Sequence, residues 1–470
     1  MDNPQRPCFR GEMKRRLEVD YLVVGAGAME MAFTDALVDH ADVRVALVDR
    51  RYAAGGHWLS AYPFVRLHQA SPFYGVASTV LGGGRIQQHG PEAGLHERAD
   101  QPAITSYYSD RLTAMVESGR VDFLGGHDYL GGGTLRSRVT GQSFDVPDRC
   151  RVVDARYLSP DIPADTPAPF AVDDGARVIT VNELVLVDDA PSQYVIVGSG
   201  KTATDACVWL LTHGVDPDAI CWVRPRDPWM LNRALIQPTP EIFLGMVADL
   251  MTAATTATSL PDLFLHLEER GIMMRVDRGV TPTMAKAPTL GTWELELLRS
   301  IDNVVRLGHV EAVHRGRLEM QFGTVRVAPD ACVVHCAADG LKMPSRIPIW
   351  GSETITLQPI RAGFPCFGAA LAGYVEATRE DDAVKNTLCP PSSYGNTLAD
   401  WARMTVLGTR AAASFGAEED IAAWANEVAL NPSRIPASTV GSMRLDDVRG
   451  RLAANTERAL WRLDELSSSA

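Results

Sequence analysis

Two strand–turn–helix units, each bent on paired glycines, constrain this chain more than any other feature. The first, "VDYLVVGAGAMEMAFTDALVDHADVRVALVDRR" (residues 19–51), passes from a β-branched apolar strand through Gly25 and Gly27 into a helix. It then leaves along a second strand closed by Asp49 and Arg50. The second, "QYVIVGSGKTATDACVWLLTHG" (residues 193–214), repeats the plan through Gly198 and Gly200. Strands of this kind belong in a parallel sheet with a helical crossover, so the predicted fold class is α/β with two Rossmann-like dinucleotide-binding domains. In such a turn the first glycine makes the bend. The second lets backbone approach a pyrophosphate, and a third small residue lets helix pack on strand. Gly198, Gly200 and Ala203 fill those places in the second unit, with Ser199, Lys201 and Thr202 also expected at the cofactor. In the first unit the third place holds Glu30, which is expected to weaken the cofactor's hold on that turn.

The stretch GSGKT also suggests an ATPase phosphate loop. That loop needs its first glycine five residues before the glycine of Gly-Lys-Thr, and the position is filled by Val195, inside the strand. The dinucleotide reading is therefore preferred. The strand ends then distinguish two cofactors. Asp49 can accept both hydroxyls of an adenosine ribose, whereas "PDAICWVRPRDPW" presents Arg224 and Arg226, whose forked donors suit a ribose 2′-phosphate. FAD is expected in the first unit and NADPH in the second.

A net charge of −13 argues against nucleic acid and anionic membrane as partners and leaves small molecules. No apolar run approaches the ~20 residues of a membrane helix. The opening "MDNPQRPCFRGEMKRR" lacks the apolar stretch of a secretory signal and is expected to be a frayed tail of a cytoplasmic protein. Eight scattered cysteines, with no C-x-x-C and no zinc spacing, predict reduced thiols and no metal site. Cys332 and Cys336, if on one strand, stand ~13 Å apart at ~3.3 Å per residue, too far for a disulfide.

The expected organisation is a first FAD-domain part over residues 17–165 and an NAD(P)H domain over 166–330, with a helical substrate-side insertion at about 235–302. A returning FAD part covers 331–400, and a C-terminal helical segment covers 401–470. "TLRSRVTGQSFDV" reads as a hairpin about Gly141, "RCRVVDARYLSPDIP" as a strand entering the crossing, and "ACVVHCAADG" as the strand that returns the chain to the first domain. The terminal helical stretch also suits a homodimer contact. Arg275, Arg278 and Lys286 in the insertion hint at an acidic substrate.

Together with "GGHWLSAYPFVRLHQASPFYGV" (residues 55–76), these residues resemble the two-dinucleotide flavoproteins that include flavin-containing monooxygenases, Baeyer–Villiger monooxygenases and N-hydroxylases. Gly55, Gly56 and Trp58, then Tyr62, Pro63 and Arg66, match the stretch that in that family runs under the isoalloxazine. Paired glycines let backbone approach a flat ring, and Trp58 can stack on it while offering one donor. The resemblance implies NADPH-driven oxygenation of a small organic substrate at N, S or a carbonyl carbon, with molecular oxygen as co-substrate, through a C4a-hydroperoxyflavin. Arg66, His68 and Ser71 follow the flavin stretch directly and are the catalytic candidates.

Departures from the family are as specific as the matches. The F-x-G-x-x-x-H of the monooxygenase branches should precede the second turn, yet "VDDGARVITVNEL" keeps only Gly175. The Ala-Thr-Gly hinges become Ala155-Arg156-Tyr157 and Ala338-Asp339-Gly340. A flavin reductase without oxygen insertion and a non-catalytic dinucleotide sensor therefore stand as alternatives.

Overall fold

The computed structural model describes residues 15–147, 149–337, 341–361, 363–439 and 441–469. Residues 1–14 of the opening stretch, Cys8 among them, and the Ala338-Asp339-Gly340 hinge lie outside the described residues. Where the described chain begins, Arg15–Arg16 pairs in parallel with Phe144 and Asp145 rather than fraying.

Two five-stranded parallel sheets carry the architecture. The first runs in the order Thr354–Thr356, Arg151–Asp154, Tyr21–Val24, Val45–Asp49 and Val121–Gly125. Its central strands bury both faces, as the unbroken apolar runs require. Helices Ala28–His40 and Pro365–Thr378 pack against each other beside it. The second sheet orders Arg177–Thr180, Cys332–His335, Tyr194–Val197, Ile220–Val223 and Val304–Val305. Val195 is wholly buried in that sheet.

This arrangement corrects one expectation. Cys332–His335 does not return the chain to the first domain, because it is inserted between Arg177–Thr180 and Tyr194–Val197 in the second sheet. The first sheet resumes only at Thr354–Thr356, so the expected boundary at 331 falls too early. The physical reason is that a four-residue apolar run buried on both faces suits either sheet, and only its long-range partners choose between them.

The insertion is not purely helical either. Beside helices Pro240–Thr256, Leu260–Glu269 and Thr292–Leu298 it carries a small sheet in which Pro228–Asn232 lies between Met273–Met274 and Met284–Leu290. The hairpin about Gly141 forms from Thr134–Ser137 and Ser143–Asp145. At the C-terminal end, helix Met443–Ser468 packs on Pro240–Thr256 and on Leu398–Gly416 through Leu445, Val448, Leu463 and Leu466. Its apolar stripe is thus covered within the chain, while Trp461 stays exposed. Among the described residues no helix is long and apolar enough to cross a membrane, no group of side chains could hold a metal ion, and all seven cysteines are free thiols.

Candidate functional site

Both glycine turns lie at the C-terminal ends of their parallel strands, and they differ in charge. In the first, Gly25 adopts φ +111°, a conformation only glycine takes readily, and Gly27 caps helix Ala28–His40. Gly55 donates to the Ala26 carbonyl at 2.8 Å, and a Cβ added to Gly56 would stand 2.9 Å from the Gly27 Cα. The paired glycines of the 55–76 stretch are therefore pressed onto the turn. Asp49 is buried, and its carboxylate accepts from the Ala26 and Arg51 N–H groups, each at 2.7 Å. Arg50 beside it is exposed. The Glu30 carboxylate folds back beneath the turn, where a Cβ on Gly25 would collide with it. Burial pushes the Glu30 carboxyl up to about 7, against the backbone N–H groups of Glu30 and Gly27, which face it and favour the charge.

The second turn bends at Gly198, φ +136°, and Gly200 caps helix Lys201–Thr212 with no side chain bonded to its N–H groups. Ala203 is fully buried against the strand, as the third position demands, while Ser199 and Thr202 line the turn half-buried. The surroundings are cationic. Lys286 Nζ would lie 3.7 Å from a Cβ at Gly200, and Lys201 reaches along its helix to pair with Asp205. Beyond the next strand Arg226 is exposed, whereas Arg224 is buried. Arg224 lies over the Trp222 ring at 4.5 Å and pairs with Asp227 at 3.2 Å, and its Nε and Nη1 have no hydrogen-bond partner.

The stretch after the flavin-like glycines spans the two units. Trp58 is buried and spends its indole N–H on Tyr74 Oη at 2.6 Å. Tyr62 crosses to the second unit and donates to Asp205 at 2.7 Å, and Asn182 donates to the Ser60 carbonyl at 2.9 Å. Of the three catalytic candidates, Arg66 is exposed, its backbone bridged to Asp100. Ser71 is buried, giving its hydroxyl proton to the Glu97 carbonyl and accepting from Ala99, both at 2.8 Å. His68 alone faces the charged interior. Burial, then Lys201, Arg233 and Arg98, lower its imidazole to about 3, and its Nδ1 accepts from the Thr289 N–H at 3.4 Å.

That interior is a cluster the sequence does not announce. Arg233, only 1% exposed, donates to Glu92, to Glu294 at 2.7 Å and to the His68 carbonyl at 3.1 Å. Arg98 grips Glu92 at 3.0 and 3.1 Å, and Trp293 Nε1 adds a third contact at 3.1 Å. Burial alone would raise the Glu92 carboxyl, yet Arg233 and Arg98 hold it down to about 2. Each member sits in an unremarkable stretch, "PEAGLHERAD", "MLNR" or "GTWELE", so no local pattern could have found it. The insertion cations disperse: Arg275 pairs with Glu268 at 2.9 Å, Arg278 is exposed, and Lys286 goes to the second turn. Nearby, a cavity of about 430 Å³ opens between Pro72, Gly83, His96, Pro238, Asn431 and Arg434. Gln237 ties its wall to the cluster, accepting from the His96 N–H at 2.9 Å and donating to the Arg233 carbonyl at 3.0 Å.

No family model matches the chain. It is 40% identical over 408 residues to the uncharacterised protein Rv2000 of Mycobacterium tuberculosis, an alignment covering 86% of this chain and 75% of the relative. The uncharacterised protein Mb2023 of Mycobacterium bovis matches with the same values. Among solved structures, an oxidised steroid monooxygenase bound to NADP aligns with TM-score 0.48 at 14% identity, over 77% of this chain and 86% of that one. A cyclohexanone monooxygenase with bound ε-caprolactone aligns with TM-score 0.46 at 15% identity, over 86% and 98%.

Proposed function

The chain belongs to the family of the mycobacterial protein Rv2000, and for it we propose an FAD- and NADPH-dependent monooxygenase that oxygenates N, S or a carbonyl carbon of a small organic substrate. The observation that supports this best is the 55–76 stretch. It is pressed onto the first turn at Gly56 and bonded through Tyr62 to the helix of the second, so cofactors in the two turns would meet along one strip of chain.

The residues suit the two cofactors unequally. At the second turn the uncapped helix N-terminus and the Lys286 charge suit a pyrophosphate, and exposed Arg226 with the unpartnered donors of Arg224 suits a 2′-phosphate. At the first turn Glu30 itself stands in for an anion: its carboxylate faces the N–H groups that a flavin pyrophosphate would take. The cradle therefore fits an oxyanion once that flexible side chain yields.

When bound, FAD supplies hydride acceptance from NADPH and activation of oxygen. The chain's own part is placement. Trp58, with its N–H already spent, offers the flavin an apolar edge. His68, held neutral, orients by hydrogen bonding and supplies no proton near neutral pH. The buried Arg233 cluster holds the insertion against the 55–76 stretch and closes that side to water, and the proline-lined cavity behind it would receive the substrate.

Mixing the protein with NADPH and following the flavin's visible absorbance tests this reading. Bleaching without air, with oxygen consumed and substrate oxygenated once air is admitted, is the expected result. Bleaching that only an organic acceptor reverses would identify a reductase. NADPH binding with no bleaching would identify the second reading, a dinucleotide sensor, which the Glu30 carboxylate beneath the first turn favours.

A further inference from the structure

In the free chain the space beneath the first glycine turn is already filled by the Glu30 carboxylate. Asp49 takes the Ala26 N–H, and the Glu30 carboxylate faces the N–H groups of Gly27 and of Glu30 itself. Glu30 is 8% exposed and projects from the buried face of helix Ala28–His40, so its carboxylate lies inside the turn rather than in solvent. A helix N-terminus attracts an anion, and this one holds its own.

The groups facing Glu30 are mostly acids. Asp49 approaches from the end of its strand and Asp154 from the crossing, where Arg156 pairs with Asp154 at 2.8 Å. Tyr74 from the flavin-like stretch and Cys366 at the start of helix Pro365–Thr378 also feel its charge. A bound pyrophosphate would add two negative charges to this group and take away the backbone donors that favour ionised Glu30.

We propose that Glu30 gates the first turn: FAD enters by exchange, the Glu30 carboxylate taking up one proton and leaving the space beneath the turn to the pyrophosphate. This rests on the reading of that turn as an FAD site. The balance is one carboxylate, one proton and one FAD giving one carboxylic acid and one complex. The pyrophosphate diester has no titrating group near neutrality, so the proton belongs to the protein.

The free carboxyl, raised by burial to about 7, rises further when the phosphate arrives. A group whose pKa rises on binding takes up a proton, so affinity is greatest below the free pKa and falls as pH climbs above it. The FAD dissociation constant, read by flavin fluorescence on the purified protein, should be flat near pH ~6 and rise by up to about tenfold per pH unit above ~7. Glu30→Gln should abolish that slope. Glu30→Gly should abolish it and bind FAD at least ~10-fold more tightly than the parent at pH ~8. A dissociation constant that does not change with pH, or one that falls as pH rises because the carboxylate swings out charged, overturns the gate while leaving the turn an FAD site. Failure of Glu30→Gly and Glu30→Gln to bind FAD at any of these pH values overturns both the gate and the flavin reading.

Discussion

Replacing Arg233 with methionine should be among the most damaging single changes in the interior, and the structure shows where the damage falls. The guanidinium is 1% exposed and answers two carboxylates. Without it Glu92 keeps both Arg98 contacts, at 3.0 and 3.1 Å, and the Trp293 indole. Glu294 keeps the Gly291 N–H at 2.7 Å, an Arg98 nitrogen at 3.7 Å and the more distant charge of Lys201. The uncompensated charge therefore rests on Glu294. Removing one partner of a buried ion pair costs about 3–5 kcal/mol, and the methionine stem fills most of the vacated space, so the lower end is expected. Adding Glu294→Gln removes the stranded charge and should restore about 2 kcal/mol.

The pH dependence carries a sign. Burial works to raise the Glu294 carboxyl, but Arg233, Lys201 and Arg98 hold it below its ordinary value. It thus contributes stability above its unfolded pKa near ~4.5, lost as pH falls through the lower folded value. Arg233→Met removes the largest of those attractions and leaves burial opposed by Lys201 and Arg98, so the folded value rises and the gap between variant and parent should narrow as pH drops from ~7 toward ~5. Urea unfolding followed by tryptophan fluorescence and far-UV circular dichroism measures both quantities. A single variant within about 1 kcal/mol of the parent, or a double variant no more stable than the single one, would refute the assignment of the charge to Glu294.

Three further outcomes are expected. Arg226→Ala should weaken NADPH binding roughly 10-fold or more and leave NADH nearly unchanged, since one charge-assisted contact contributes ~1.5–3 kcal/mol; an unchanged NADPH/NADH ratio in the Arg224→Ala, Arg226→Ala pair would remove NADPH preference from these residues. His68 should stay neutral down to about pH 4 by imidazole NMR shifts, and His68→Asn should lessen the stability lost as pH falls from ~6.5 toward the lowered folded value; a ring that titrates near 6.5 contradicts its enclosure. Mg-ATP should not be hydrolysed, because Val195 fills the first glycine place of the phosphate-loop pattern and Lys201 is held by Asp205; an ATPase activity that vanishes in Lys201→Ala would reverse the choice made for GSGKT.

Much of the frame was legible in the sequence because its causes are local. Gly25 and Gly198 stand where the backbone needs positive φ, Ala203 where helix meets strand, and the β-branched runs before them where strands are buried on both faces. The hairpin about Gly141 follows from the same short-range rules. What sequence could not decide was anything settled between distant segments. Cys332–His335 has no feature that prefers one parallel sheet to the other, and its neighbours, not its own residues, place it in the second. Pro228–Asn232 and Met284–Leu290 become strands because they find each other across the insertion. Ser71 looks like a free hydroxyl until Glu97 and Ala99 engage it, and Glu92, Arg98, Arg233 and Glu294 are unrelated charges until folding removes water and leaves each needing the others. Glu30 divides the two levels most sharply: its position announces a conflict with the turn, but only the buried tertiary setting decides that the carboxylate turns inward onto the backbone donors.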